Sequence, residues 1–176
     1  MKRRYKSLFF AVGVLLMMDG CQTKDSLPEP TMEGRNTFGC KINGKVWIAD
    51  GMPAGMPPGT PGGKPIEVDF KRLNSDTFYL FIHTNASTKD RVQLTLPMAV
   101  VGANPLSDRE PFAVYYDDTF RHFFSKGPNA GKVVITKWDT VNRIISGTFE
   151  FEGQEIIHKQ KVSVTEGRFD LDLDSL

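Results

Sequence analysis

From residue 37 onward, apolar and polar residues alternate with a period of two, the pattern of strands with one buried face. The first unit is FGCKINGKVWIA, two apolar-biased runs flanking Asn43-Gly44. That dipeptide favours a two-residue hairpin, because a type I′ turn needs positive φ at both central positions. The loop pairs Ile42 with Lys45, Cys40 with Trp47 and Phe38 with Ala49. Cys40 and Trp47 then share a face and read as core. Next come IEVDFKR, with Ile66, Val68 and Phe70 on one face, and TFYLFIHT, joined by Leu73-Asn74-Ser75-Asp76. The run Phe78 to Ile82 is apolar on both faces, as in a strand covered on each side or capped by a loop. RVQLTL points Val92, Leu94 and Leu96 inward, and FAVYY, a turn at Asp117-Asp118-Thr119, FRHFFS, KVVITKWD and RIISGTFEFE follow. A two-residue loop at Gly153-Gln154 pairs Phe151 with Ile156, Phe149 with His158, Gly147 with Gln160 and Ile145 with Val162, so both strands agree on a polar face. GRFDLDL closes the chain with Phe169, Leu171 and Leu173 inward and Arg168, Asp170 and Asp172 in solvent.

These segments amount to ten or eleven strands, with no stretch of 3.6-residue period. Residues 37–176 are therefore expected to form an all-β, single antiparallel domain of about ten strands, a meander-type sandwich or partly closed barrel. Two irregular stretches interrupt it. Asp50 to Pro65 carries five Gly and five Pro, and Pro97 to Pro111 three Pro. The first reads as a surface insertion, with a functional loop as the alternative.

The N-terminus follows a different logic. Lys2, Arg3, Arg4 and Lys6 precede eleven residues without a polar group, Leu8 to Met18, and then Asp19-Gly20-Cys21. Eleven apolar residues fall short of the roughly 20 a bilayer requires. A basic start, a short apolar run and a small residue before the cut describe a signal peptide over residues 1–20. The cysteine after the small residue resembles the lipobox of bacterial lipoproteins, which implies acylation of Cys21 and a membrane partner reached through its acyl chains. Met18 and Asp19 depart from the usual lipobox pattern. Residues 21–36 are expected to be the lipidated cysteine and a flexible tether, whose 15 residues after Cys21 reach at most ~50 Å. Gln22, where an Asp would signal inner-membrane retention in other lipoproteins, leads by analogy to an expected location in the bacterial cell envelope at the outer membrane.

Composition alters this picture little. The 176 residues include 22 Lys+Arg and 21 Asp+Glu, and without residues 1–20 there remain 18 basic and 20 acidic groups. Nucleic-acid binding needs a clustered positive surface, so no nucleic-acid partner is expected. With Cys21 acylated, Cys40 has no disulfide partner and reads as a small buried hydrophobe.

Candidate chemistry is sparse. His83, His122 and His158 are far apart and fit no zinc spacing, and there is no G-x-S-x-G elbow, P-loop or Rossmann fingerprint. No metal, cofactor or catalytic residue is expected. Asp117-Asp118 reads as a turn. Two groups of residues stand out as candidate ligand contacts. Tyr115, Tyr116, Phe120 and Phe123, with Phe124, exceed what alternation can bury on one face. His158 and Gln160, in the register above, point where a dry core prefers hydrocarbon.

NTFGCKINGKVW, VVITKWD, RIISGTFEFE and VTEGRFDL, in that order, resemble a family of Bacteroidota lipoproteins of unknown function, over roughly residues 27 to 173. The resemblance implies location and fold and carries no catalytic residue across. The expected function is a lipid-anchored envelope binding or accessory module rather than an enzyme. Its partner would be a small apolar ligand, an envelope protein or a glycan. The alternative is a lipocalin-like carrier with His158 and Gln160 lining its cavity, and a third class is a hydrolase with acids from separate strands.

Overall fold

The structure, a computed structural model, describes residues 26–52, 62–72, 78–97, 101–107 and 112–176. Among these lie eleven strands and no helix. In chain order they are β1 (Thr37–Ile42), β2 (Lys45–Ile48), β3 (Ile66–Arg72), β4 (Phe78–Thr84), β5 (Arg91–Pro97) and β6 (Gly102–Leu106). β7 (Phe112–Tyr116), β8 (His122–Ser125), β9 (Gly131–Asp139), β10 (Ile144–Glu155) and β11 (Lys161–Asp172) complete the set. All pairings are antiparallel, along the path β2-β1-β11-β10-β8-β7-β5-β4-β3.

Strand β10 is the hinge of this architecture. Its full length pairs with β11, while its other edge is shared: residues 144–151 take β9, and residues 153–155 take β8. The sheet thus forks into a β9-β6 branch and a β8-β7-β5-β4-β3 branch and curls into a half-barrel around one core. Phe38, Leu80, Ile82, Leu94, Ile135, Ile145, Phe149, Phe169 and Leu171, drawn from both branches, belong to the same cluster and are at most 3% exposed. The curl brings the Arg143 guanidinium, in the β9–β10 turn, to 5.7 Å from the Phe70 ring on β3.

The β1–β2 hairpin has the expected register, with Ile42 opposite Lys45 and Cys40 opposite Trp47. Asn43 and Gly44 both take positive φ, 49° and 80°, as the type I′ turn demands. Val92, Leu94 and Leu96 are buried as expected.

The last hairpin corrects the sequence reading. Gly153 and Gln154 lie inside β10, and the turn falls at residues 156–159, closed by the Glu155 amide donating to the Gln160 carbonyl. Gly153 is a packing glycine: a Cβ there would lie 2.9 Å from Cβ of Phe123 and 2.8 Å from Cγ1 of Val162. The turn is held by the Glu155 carboxylate, which accepts from the Ile157 and His158 amides. Phe149 therefore faces Gly167 and Gly147 faces Phe169. The segment read as two pieces is one strand, β11, bent by a bulge where Thr165 and Glu166 oppose the single residue Glu150, Glu166 adopting φ 51°. The Pro97 to Pro111 stretch also hides a strand, β6, whose Pro105 is tolerated because β6 pairs only with β9.

The expected tether is fixed from Pro28 onward. Pro28 is buried, with Cδ 2.8 Å from where a Cβ on Gly39 would stand. Its carbonyl accepts from Arg168, and the Met32 carbonyl accepts from the Lys137 ammonium. Residues 28–36 form a strap over β1, β11, β10 and β9. Asp170, expected in solvent, is 1% exposed beneath it. Its carboxylate accepts from the Thr31 and Ser146 hydroxyls and from the Glu33, Gly34 and Arg35 amides. Burial alone would raise its pKa, but these bonds outweigh burial and bring it down to about 2.

Candidate functional site

Alternation along β3, β4, β5, β7 and β8 sends one set of side chains into the core and the other to an outer face. The rows of that face follow from register. Glu67, His83, Gln93, Val114, Phe124 and Gln154 lie opposite one another in turn across six strands. Asp69 faces Phe81, and Arg91 faces Tyr116, which faces His122. At one end the face hollows into an open groove of about 400 Å³, lined by residues including Glu67, Asp69, Lys71, His83, Arg91, Gln93 and Tyr116. At the other end Phe112, Phe124, Gln154 and Ile156 line a second, more apolar groove of about 360 Å³.

Aromatic rings pave the surface between. Phe81 and His83 lie parallel, centroids 6.2 Å apart, and Tyr116, His122 and Phe124 meet edge to face at 4.7 and 6.1 Å. The Lys71 ammonium stands 5.2 Å from the Phe81 ring and the Arg91 guanidinium 5.4 Å from the Tyr116 ring. The Tyr116 hydroxyl donates to the Gln93 side-chain oxygen over 3.2 Å. Arg91 Nε is buried without a hydrogen-bond partner among the described residues. Partial burial, despite the nearby Asp69, lowers the pKa of His83 and favours its neutral form, which offers one donor and one acceptor. Burial also raises the pKa of the Tyr116 phenol.

The aromatic cluster read from the sequence divides between the two sides of the sheet. Tyr116 is on the outer face, with His122 and Phe124. Tyr115 and Phe123 point inward and are buried, and the Tyr115 hydroxyl donates to Asp90. Phe120 stands in the β7–β8 turn, 69% exposed. Tyr115, Phe123 and Gln160 do converge, with Asp117, Arg121 and Lys161, on a third open groove of about 480 Å³. Its polar groups satisfy one another: the Asp117 carboxylate accepts from Thr119 and from the amide and guanidinium of Arg121, which also donates to Gln160. Burial opposes ionisation of Asp117, but these bonds prevail and lower its pKa. Asp117 thus belongs to a closed turn network, and Asp118 is exposed beside it.

His158 and Gln160 do not line the interior. Both are exposed at the β10–β11 turn, because the turn lies further along the chain than expected. Cys40 is fully buried, and burial pushes its thiol pKa far above the ordinary range. Cys21 lies outside the described residues, as do residues 53–61 of the Gly/Pro loop. The described ends of that loop are tied down: the Gly51 amide donates to the Asn85 carbonyl, the Met52 amide to the Gly63 carbonyl, and Asp50 accepts from Ser87. Among the described residues no group of three or more His, Cys, Asp or Glu could hold a metal ion.

The outer-face residues Phe81, His83, Arg91 and Gln93 were not singled out from sequence. Their signal was the run Phe78 to Ile82, apolar on both faces, which leaves one aromatic set without a place in the core.

No curated protein and no solved structure matches the chain. Residues 71–170, more than half of its length, match a family described as a domain of unknown function, DUF6252. The matched region begins in β3 at Lys71 and ends at Asp170, so it takes in the β4, β5, β7 and β8 part of the outer face, but not Glu67 and Asp69, and the buried carboxylate under the strap. The chain belongs to the DUF6252 family.

Proposed function

We propose that this protein is a lipid-anchored binding module of the bacterial cell envelope, at the outer membrane, whose working surface is the outer face of β3, β4, β5, β7 and β8. The anchor rests on the basic start, the apolar run and Cys21, in line with the resemblance to Bacteroidota lipoproteins. Two acyl chains hold a protein on a bilayer where one does not. The observation that carries the binding role is the set of partly exposed rings Phe81, His83, Tyr116 and Phe124 on the outer face, packed around the buried Val114 and interleaved with Gln93, Arg91 and Asp69. Aromatic rings set among polar groups are what recognition surfaces use, since one side of each residue is apolar and the other wet. The half-barrel interior is filled by Phe, Leu and Ile side chains, which weighs against the carrier alternative.

A photo-reactive phenylalanine analogue at Phe81, in cells, tests the reading. Crosslinked adducts are expected from position 81 and not from Val141, which is 87% exposed in the β9–β10 turn, outside the strands of the outer face. Equal yields from both positions, or none from position 81, overturn it.

A further inference from the structure

We infer that the outer face binds an uncharged glycan chain laid across the strands from β3 to β8, an inference that rests on the binding reading above. Four strand steps of ~4.8 Å give the face a length of roughly 19 Å, enough for several sugar rings in a row. The apolar C–H faces of a sugar are attracted to the negative faces of aromatic rings, and its hydroxyls need donors and acceptors at the ring margins. Both are present. Phe81 and Tyr116 supply rings, while Gln93, His83 and Asp69, which line the groove, supply polar margins.

Charge narrows the ligand class. In the larger groove Glu67 and Asp69 offset Lys71 and Arg91. A nucleic acid or a strongly anionic polysaccharide would need a net positive surface, and an anionic membrane would need a basic cluster. A peptide added as a strand would pair with a sheet edge and not with the face.

The test is native affinity electrophoresis of the whole chain in detergent, in gels containing mixed-linkage β-glucan, galactomannan or dextran, with polygalacturonate as the anionic comparison. Retardation by at least one neutral polymer is expected. Phe81→Ala and Tyr116→Ala should each weaken it by at least about tenfold. Gln93→Ala, which removes a polar margin and no ring, should also weaken it, and unchanged thermal midpoints show that each variant is folded. The inference is overturned if no neutral polymer retards the chain, if only polygalacturonate does, or if retardation survives the ring substitutions. Absent retardation with persistent crosslinking from position 81 rejects the glycan and leaves the face a docking surface for another partner. Absence of both rejects the face itself.

Discussion

The Thr31 hydroxyl donates to the Asp170 carboxylate over 2.5 Å, joining residues 139 apart in the chain. Its neighbours in the strap add three backbone amides to the same carboxylate, and Ser146 approaches from β10. Asp170 thus fastens the strap to β11, the last strand of the chain.

The acid sensitivity of the fold follows from this carboxylate. Its pKa in the folded chain, about 2, lies below the ordinary value of 3.8. The stabilisation is therefore complete above that ordinary value and is lost as pH falls through the range from about 4 to about 2. It amounts to roughly 2 kcal/mol at neutral pH. Urea denaturation of the parent should show this loss over that window, and Asp170→Asn should be less stable at pH 7 with a flatter profile below pH 4. A parallel pair of curves would show that the cradle contributes nothing.

The last hairpin offers a test of packing. Phe149 is 3% exposed, and its ring fills the space above Gly167, where a Cβ would come within 2.6 Å. Phe149→Ala should cost ~3–5 kcal/mol. Lys159, in the exposed turn, should cost less than ~1 kcal/mol on replacement by Ala. Equal denaturation midpoints for the two variants would contradict the buried placement of Phe149.

His83 provides a local probe of the outer face. Its imidazole should titrate below the ordinary 6.5 in a pH series of NMR spectra, because partial burial outweighs the pull of Asp69. Asp69→Asn should lower the midpoint further by removing that pull. A midpoint at or above 6.5 in the parent would show that burial does not outweigh the pull of Asp69.

Cys21→Ser should move the protein from the membrane fraction to the soluble fraction, and immunoblots of the two fractions read the outcome. Retention of the Ser variant at parent levels would refute acylation as the anchor.

Much of the fold was legible because alternation survives wherever one face is buried. The Asn43-Gly44 hairpin and the inward set Val92, Leu94 and Leu96 stand where the period of two puts them. The final register was not legible, because Gly153 mimics a turn glycine while serving a close contact with Phe123, and because the Thr165–Glu166 bulge interrupts the alternation of β11. Asp170 was hidden for a different reason: a charged residue on the outer side of a strand reads as solvated unless a distant segment covers it. The candidate site was half visible. Tyr116 was found through the aromatic surplus, whereas Phe81 and His83 acquired meaning only when β4 was set beside β5 and β7.

The strap and the β1–β11 pairing also set the order in which the domain can be completed. A chain that emerges N-terminus first presents the strap and β1 long before β11, their partner, is available. The β3–β4–β5 meander can form from near neighbours, but the β1 side of the sheet waits on loop closure across almost the whole domain. Until β11 arrives, β1 keeps an unpaired edge that can template association with another chain. Slow refolding, with aggregation that depends on concentration, is the expected kinetic counterpart of fastening the strap and β1 to β11.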